Sequence, residues 1–217
     1  ALPHTLGVVA ELCCGAGEAP SVLTKPIARG IGVDVSEVML TQAIHKQTPG
    51  WSYVQGDATQ LPLLSHSFDT VIFLGGIHHV LDRQGLFAEA FRILRPGGTL
   101  VWREPLNDFW LWRGLRAAIY RWSPQLDAET EAPLQAAETV HELAKAGFQL
   151  KHWNPCGLIG FCLFMNSDVL KVNAGLRYVP GIRAICRSVA RLDRKLLTYE
   201  RLKHCGLQVV GSATKPG

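Results

Sequence analysis

Val8-Val9-Ala10-Glu11-Leu12-Cys13-Cys14-Gly15-Ala16-Gly17-Glu18 begins as an apolar run and ends in two glycines. Residues able to open a helix come next. A buried parallel strand turns in this way into a helix whose N-terminus faces a ligand. On this reading the strand lies in the middle of a sheet, and the remaining chain either builds that sheet or covers the turn.

The flanking sequence continues the pattern. A short helix is expected over 18–28, with Pro20 near its start, where proline is tolerated. Gly30-Ile31-Gly32-Val33-Asp34 reads as a second strand ending in an acid. Ser36 can cap a helix carrying Val38, Leu40 and Ile44, which stops near Pro49. Trp51–Gly56 reads as a third strand. Asp69–Leu74 reads as a fourth, its unbroken apolar run suiting a strand buried on both faces. Leu86, Phe87, Ala90, Phe91 and Leu94 recur at helical spacing over 83–94. Pro96-Gly97-Gly98 marks a turn and Thr99–Trp102 a fifth strand. After a stretch rich in Trp and Arg, a helix is expected over 138–146, a strand over 148–153, and a last strand over 207–213. Strands alternating with helices imply an α/β fold with a mostly parallel sheet.

The 217 residues, 47% hydrophobic and 18% charged, suffice for one domain with a substantial core. The longest apolar run, Cys156–Met165, is too short to cross a bilayer. No basic segment followed by an apolar stretch opens the chain, so no secretory leader is expected, and the protein is expected in the cytoplasm. The net charge of +4 does not by itself imply nucleic acid. The six cysteines have no C-x-x-C spacing and read as buried thiols in a reducing compartment, with no metal site expected.

Ligands of open parallel sheets bind at the carboxyl ends of the strands. There the sequence places Glu11 through Gly17, Asp34, Gly56-Asp57-Ala58 and Leu74 through His79. Glycines at 15 and 17 let the backbone approach a ligand closely. Asp34 suits two ribose hydroxyls, and Asp57 suits an exocyclic amine such as that of adenine. A dinucleotide turn requires G-x-G-x-x-G, and here the sixth position is Pro20. The short turn with a third-strand acid fits a compact nucleoside better.

Five stretches, in order and at family spacing over residues 7–103, resemble the class I S-adenosylmethionine (SAM)-dependent methyltransferases, in the broad subgroup that includes ubiquinone and menaquinone methyltransferases. They are Val9–Gly17, Gly32-Val33-Asp34-Val35-Ser36, Gln55–Pro62, Ser67–Ile72 and Leu94–Leu100. The resemblance implies a Rossmann-like seven-stranded sheet of order 3-2-1-4-5-7-6 with strand 7 antiparallel. It implies SAM as cofactor and S-adenosylhomocysteine as product. By position, Glu11, Cys13 and the Gly15-Ala16-Gly17 backbone approach the methionine part. Asp34 holds the ribose, Val35 and Met39 line the adenine, Asp57 and Ala58 meet its edge, and Leu74-Gly75 pass near the sulfonium. Cys13 stands where many members carry glycine. His78, His79 and Glu104 are the candidate catalytic residues: His78-His79 directly follow strand 4, a histidine can take a proton from an acceptor near neutral pH, and Glu104 lies just past strand 5.

Two segments interrupt this core, 104–135 and 155–203, and are expected to form lid inserts that bind the acceptor. Phe109, Trp110, Trp112, Tyr120 and Trp122 are interleaved with Arg113, Arg116 and Arg121, which suits a pocket or a lid core better than nucleic acid. Over 182–196, Ile182, Ile185, Val189, Leu192 and Leu196 share one helical face, with Arg183, Arg187, Arg191 and Arg194 opposite. That pattern is met in ordinary lid helices and in membrane-surface helices, so peripheral membrane contact through Gly181–Leu197 is one reading. The expected function is methyl transfer to oxygen or carbon of a small hydrophobic acceptor (quinone-like, lipid or natural product). A non-catalytic SAM-fold binding subunit is the alternative.

Overall fold

A computed structural model describes residues 5–122, 131–160, 175 and 178–217, with the backbone alone at 119–122 and 183. Seven strands form one sheet in the order β3-β2-β1-β4-β5-β7-β6. They are β1 (Val8–Leu12), β2 (Arg29–Asp34), β3 (Trp51–Gln55), β4 (Phe68–Leu74), β5 (Leu94–Pro105), β6 (Gln149–Cys156) and β7 (Gln208–Thr214). The first five run parallel, and β7 is antiparallel to both of its neighbours, as expected. β1 and β4 lie centrally, and in each most residues are buried, as strands covered on both faces require.

The helices are α1 (Ala19–Val22), α2 (Glu37–His45), α3 (Arg83–Ile93), α4 (Trp110–Trp122), α5 (Ala136–Lys145) and α6 (Ile182–Leu196), with a 3-10 turn at Ile77–His79. α2 begins where Ser36 accepts the amide of Met39, and α3 where Asp82 accepts that of Gly85. The main core joins Leu12, Phe73, Phe87, Leu100 and Trp102 between sheet and helices.

Two elements depart from the sequence reading. The first helix ends at Val22, far short of residue 28, with Leu23 already extended. Pro26 explains why it cannot continue, since it has no amide to donate and restricts the residue before it. β5 begins at Leu94, so Pro96-Gly97-Gly98 lies inside the strand as an irregularity. The β4–β5 register shifts there, from Phe68↔Leu94 to Thr70↔Thr99.

The order reverses between β1 and β4, which opens a crevice beyond their carboxyl ends. β6 runs parallel to β5, so Cys156 ends on the same edge. Gln208 pairs with both Pro105 and Cys156 there. Both inserts therefore leave from the edge that carries the crevice. The aromatic residues Tyr120 and Trp122, together with residues 161–165 of the apolar run, lie outside the described side chains.

Candidate active site

The turn after β1 is held from three sides. Asp34 at the end of β2 accepts the Gly15 amide at 2.7 Å and the Ser36 amide at 2.9 Å. Lys46 Nζ donates to the carbonyls of Ala16 and Gly17 at 2.7 and 3.4 Å. Gly17 has φ +74°, and a Cβ there would lie 2.6 Å from Tyr53 Oη, so only glycine fits without displacement. Cys13 itself has φ 53°, which explains why a glycine is at home at this position. Burial pushes the Cys13 thiol up to about 12 and the Cys14 thiol higher still, so neither is a nucleophile at neutral pH.

Glu11 lies behind this turn. It is 1% exposed, and its Oε1 accepts the Ala19 amide at 2.9 Å, fastening the start of α1. Burial raises its carboxyl to about 7.

The turn after β4 meets the turn after β1. A Cβ on Gly76 would lie 2.4 Å from Cys13 Cβ, so the two loops touch backbone to side chain. Glu104, at the end of β5 and 1% exposed, organises the β4 turn. Its Oε1 accepts the amides of Gly76 and Ile77 at 2.8 and 2.9 Å, and its Oε2 accepts Nδ1 of His78 at 2.8 Å. With the Nδ1 proton directed at Glu104, Nε2 of a neutral His78 ring keeps its lone pair. His79 packs against His78 with ring centroids 4.0 Å apart. Burial first, then the His78 charge, lowers the His79 pKa, so its imidazole is neutral at neutral pH. A strap from the first insert closes over this turn: the Ala132 amide donates to the His78 carbonyl, and Arg83 donates to the Ala132 carbonyl.

Between the turns lies a cavity of about 750 Å3, within the ~300–1,000 Å3 usual for small-molecule sites. Of the residues singled out in the sequence, Cys13, Gly15, Ala16, Asp34, Val35, Met39, Asp57, Ala58, Leu74, Gly75 and His79 line it. Glu11, Gly17, His78 and Glu104 are not among the lining residues and support the wall from behind. Two hydrogen bonds from Thr59, amide and hydroxyl, hold the Asp57 carboxyl below the usual carboxylate range. Val35 and Met39 are exposed to the cavity as an apolar pair. Sequence reasoning did not single out Val80 and Leu81 at the His79 end, or Lys46 under the turn. Val80-Leu81 are apolar residues that follow His79 directly after a strand end, and that was their only signal. Lys46 gave none, because it reaches the turn across 30 residues of sequence.

The chain is similar to known methyltransferases over part of its length. Residues 10–102 match the family described as "Methyltransferase domain". A phthiotriol/phenolphthiotriol dimycocerosates methyltransferase of Mycobacterium leprae is 34% identical over 110 residues, 48% of this chain and 40% of that protein. A demethylmenaquinone methyltransferase of Lactococcus lactis is 35% identical over 100 residues, 43% of this chain and 40% of that protein. The matches thus span 40% of the length of these relatives. The fold extends further: a SAM-dependent methyltransferase from Mesorhizobium loti superposes on 99% of this chain and 94% of its own, with a TM-score of 0.63 at 20% identity.

Proposed function

We propose that the protein transfers the methyl group of SAM to oxygen or carbon of a small hydrophobic acceptor. The observation that carries this reading is the division of one cavity. Asp34, Asp57, Val35 and Met39 furnish a nucleoside end, and His79, Val80 and Leu81 an apolar end with one neutral base. The donor set suits SAM: a carboxylate at the end of β2 for ribose hydroxyls, a second at the end of β3 for the adenine amine, and a glycine turn without side chains for the methionine part. The names of the two relatives, which give a phthiotriol lipid and demethylmenaquinone as substrates, support a hydrophobic acceptor.

When bound, SAM supplies a methyl group already activated by its sulfonium. The chain therefore has to align the acceptor, exclude water and receive the acceptor's proton. In this reading His79 receives that proton at the cavity wall. His78 and Glu104 keep the turn from Gly75 to His79 in place, and Leu74-Gly75 form the wall beside the reacting centre. The apolar residues at positions 80 and 81 and the inserts on the same edge cover an apolar ring or chain.

Calorimetric titration with SAM tests the cofactor half. Turnover of isotope-labelled SAM in a lipid extract and in a polar extract, with products identified by mass, tests the acceptor half. Micromolar SAM binding and a labelled product from the lipid extract alone are expected. SAM binding without product from either extract would leave a non-catalytic binding subunit, and no SAM binding would end the reading.

A further inference from the structure

The two inserts carry side chains that an ordinary cover over a core would not leave in water. α4 is inverted. Its buried side holds Trp112, with the Arg116 guanidinium 5.6 Å from the ring centroid. Its exposed side holds Trp110, Leu111 and Leu115, which are 70%, 54% and 51% accessible. At ~100° per residue these three fall, together with Gly114, within a single sector of less than half the helix.

α6 half-buries Ile182, Val189 and Leu196 beside a buried acid and leaves two aliphatic side chains outside. Asp193 is the one acid among its residues, against five Lys/Arg, and it is 2% exposed. Its carboxylate accepts the amides of Leu158, Ile159 and Gly160 at 2.9–3.0 Å, which pins the helix to the chain just past β6. Ile185 and Leu192, by contrast, are 47% and 48% exposed. At ~100° per residue they lie about 20° apart and about 100° round from Asp193. The helix therefore buries its carboxylate and exposes two aliphatic side chains, with Lys195 about 60° and Arg191 about 100° round from Leu192. The same ends of β5 and β6 set both inserts on the edge of the sheet that carries the cavity.

We infer that this edge docks on an anionic lipid bilayer, with the apolar side chains of α4 and α6 in the acyl–headgroup boundary and the α6 cations on the headgroups. Exposed aliphatic and Trp side chains beside clustered cations match a surface that is apolar inside and negative outside. A second copy of this chain would set the α6 cations against each other, and nucleic acid offers nothing for Leu111, Leu115, Ile185 and Leu192. The docking also sets the cavity mouth toward a hydrophobic acceptor's own solvent. Only this consequence rests on the proposed methyl transfer, and the docking itself does not.

The test is sedimentation of the protein with vesicles of phosphatidylcholine alone or mixed with phosphatidylglycerol, without SAM. Four chains are compared: unmodified, R191E/K195E, L111S/L115S, and the two pairs combined. All substituted sites are exposed, and circular dichroism checks the fold. The unmodified chain is expected to bind the anionic vesicles at least tenfold more tightly than the neutral ones, and to lose that binding as salt rises. Each double substitution is expected to weaken binding about tenfold or more, at roughly a tenfold change per 1.4 kcal/mol and ~1 kcal/mol per basic residue. Equal binding of all four chains overturns the inference. So does an absence of vesicle binding, whether or not the protein then dimerises through Leu111 and Leu115 or binds RNA. SAM titration of the same samples reports separately on the methyltransferase reading.

Discussion

Replacing Glu104 by glutamine probes the turn after β4 at its support. The carboxylate takes three donors, the Gly76 amide at 2.8 Å, the Ile77 amide at 2.9 Å and His78 Nδ1 at 2.8 Å. A hydrogen bond to a charged group contributes ~1.5–3 kcal/mol net, a neutral one ~0.5–1.5 kcal/mol. Glutamine keeps an oxygen for the two amides at neutral strength, a loss of about 1 kcal/mol for each. Its NH2 group then faces the Nδ1 proton of His78, and the contact is repulsive until the imidazole changes tautomer. Together these cost about 2–4 kcal/mol, which lowers Tm by roughly 5–15 °C in a chain of this size. Alanine leaves three buried donors without an acceptor and costs more, on the order of 5 kcal/mol. Scanning calorimetry at neutral pH measures both. A double-mutant cycle with His78→Ala is expected to show a coupling of ~0.5–3 kcal/mol. A Glu104→Gln protein melting within about 1 °C of the parent, or strict additivity with His78→Ala, would refute the assignment.

Other consequences follow from the same geometry. Glu11 binds its proton more tightly folded, at about 7 against an ordinary 4.5, so its contribution is full below 4.5 and lost as pH rises through 7. That loss is about 3 kcal/mol; urea unfolding at acid and alkaline pH should show it shrinking in Glu11→Gln. Asp34→Ala removes the acceptor for Gly15 and Ser36 together with the proposed ribose contact, and calorimetry should register a loss of SAM affinity of about 100-fold. Gly17→Ala combines a left-handed φ with a 2.6 Å approach to Tyr53 Oη; a destabilisation of about 2–5 kcal/mol is expected, partly restored by Tyr53→Phe in the same chain. Because burial and His78 hold the His79 pKa below 6.5, kcat/KM of the proposed reaction should rise with pH through a value under 6.5 and then level off. His79→Asn should abolish that limb, and an unchanged profile would remove His79 from the reaction.

The parts of this protein legible in the chain are those written within one turn of backbone. Gly15 and Gly17 advertise a left-handed turn, Ser36 a helix start, and the apolar runs at 8–12 and 69–74 a strand buried on both faces. Asp34 and Asp57 follow strand ends directly, so their place on the ligand edge follows from strand periodicity alone. With the family resemblance, these were enough for strand order and for eleven of the residues that line the cavity. What the chain could not express is how distant strands register. The irregularity between Phe68 and Thr70 sets which β5 residue meets the β4 turn, and a slip of one position would turn Glu104 to the opposite face. The division of labour between His78, held by Glu104, and His79, facing the cavity, exists only once that register is set. The same holds for Glu11 behind the turn, for Lys46 reaching under it, and for Asp193, which turns α6 so that its carboxylate is buried and Ile185 and Leu192 are not. Periodicity assigns a residue to a face; a buried partner far along the chain settles which face points inward.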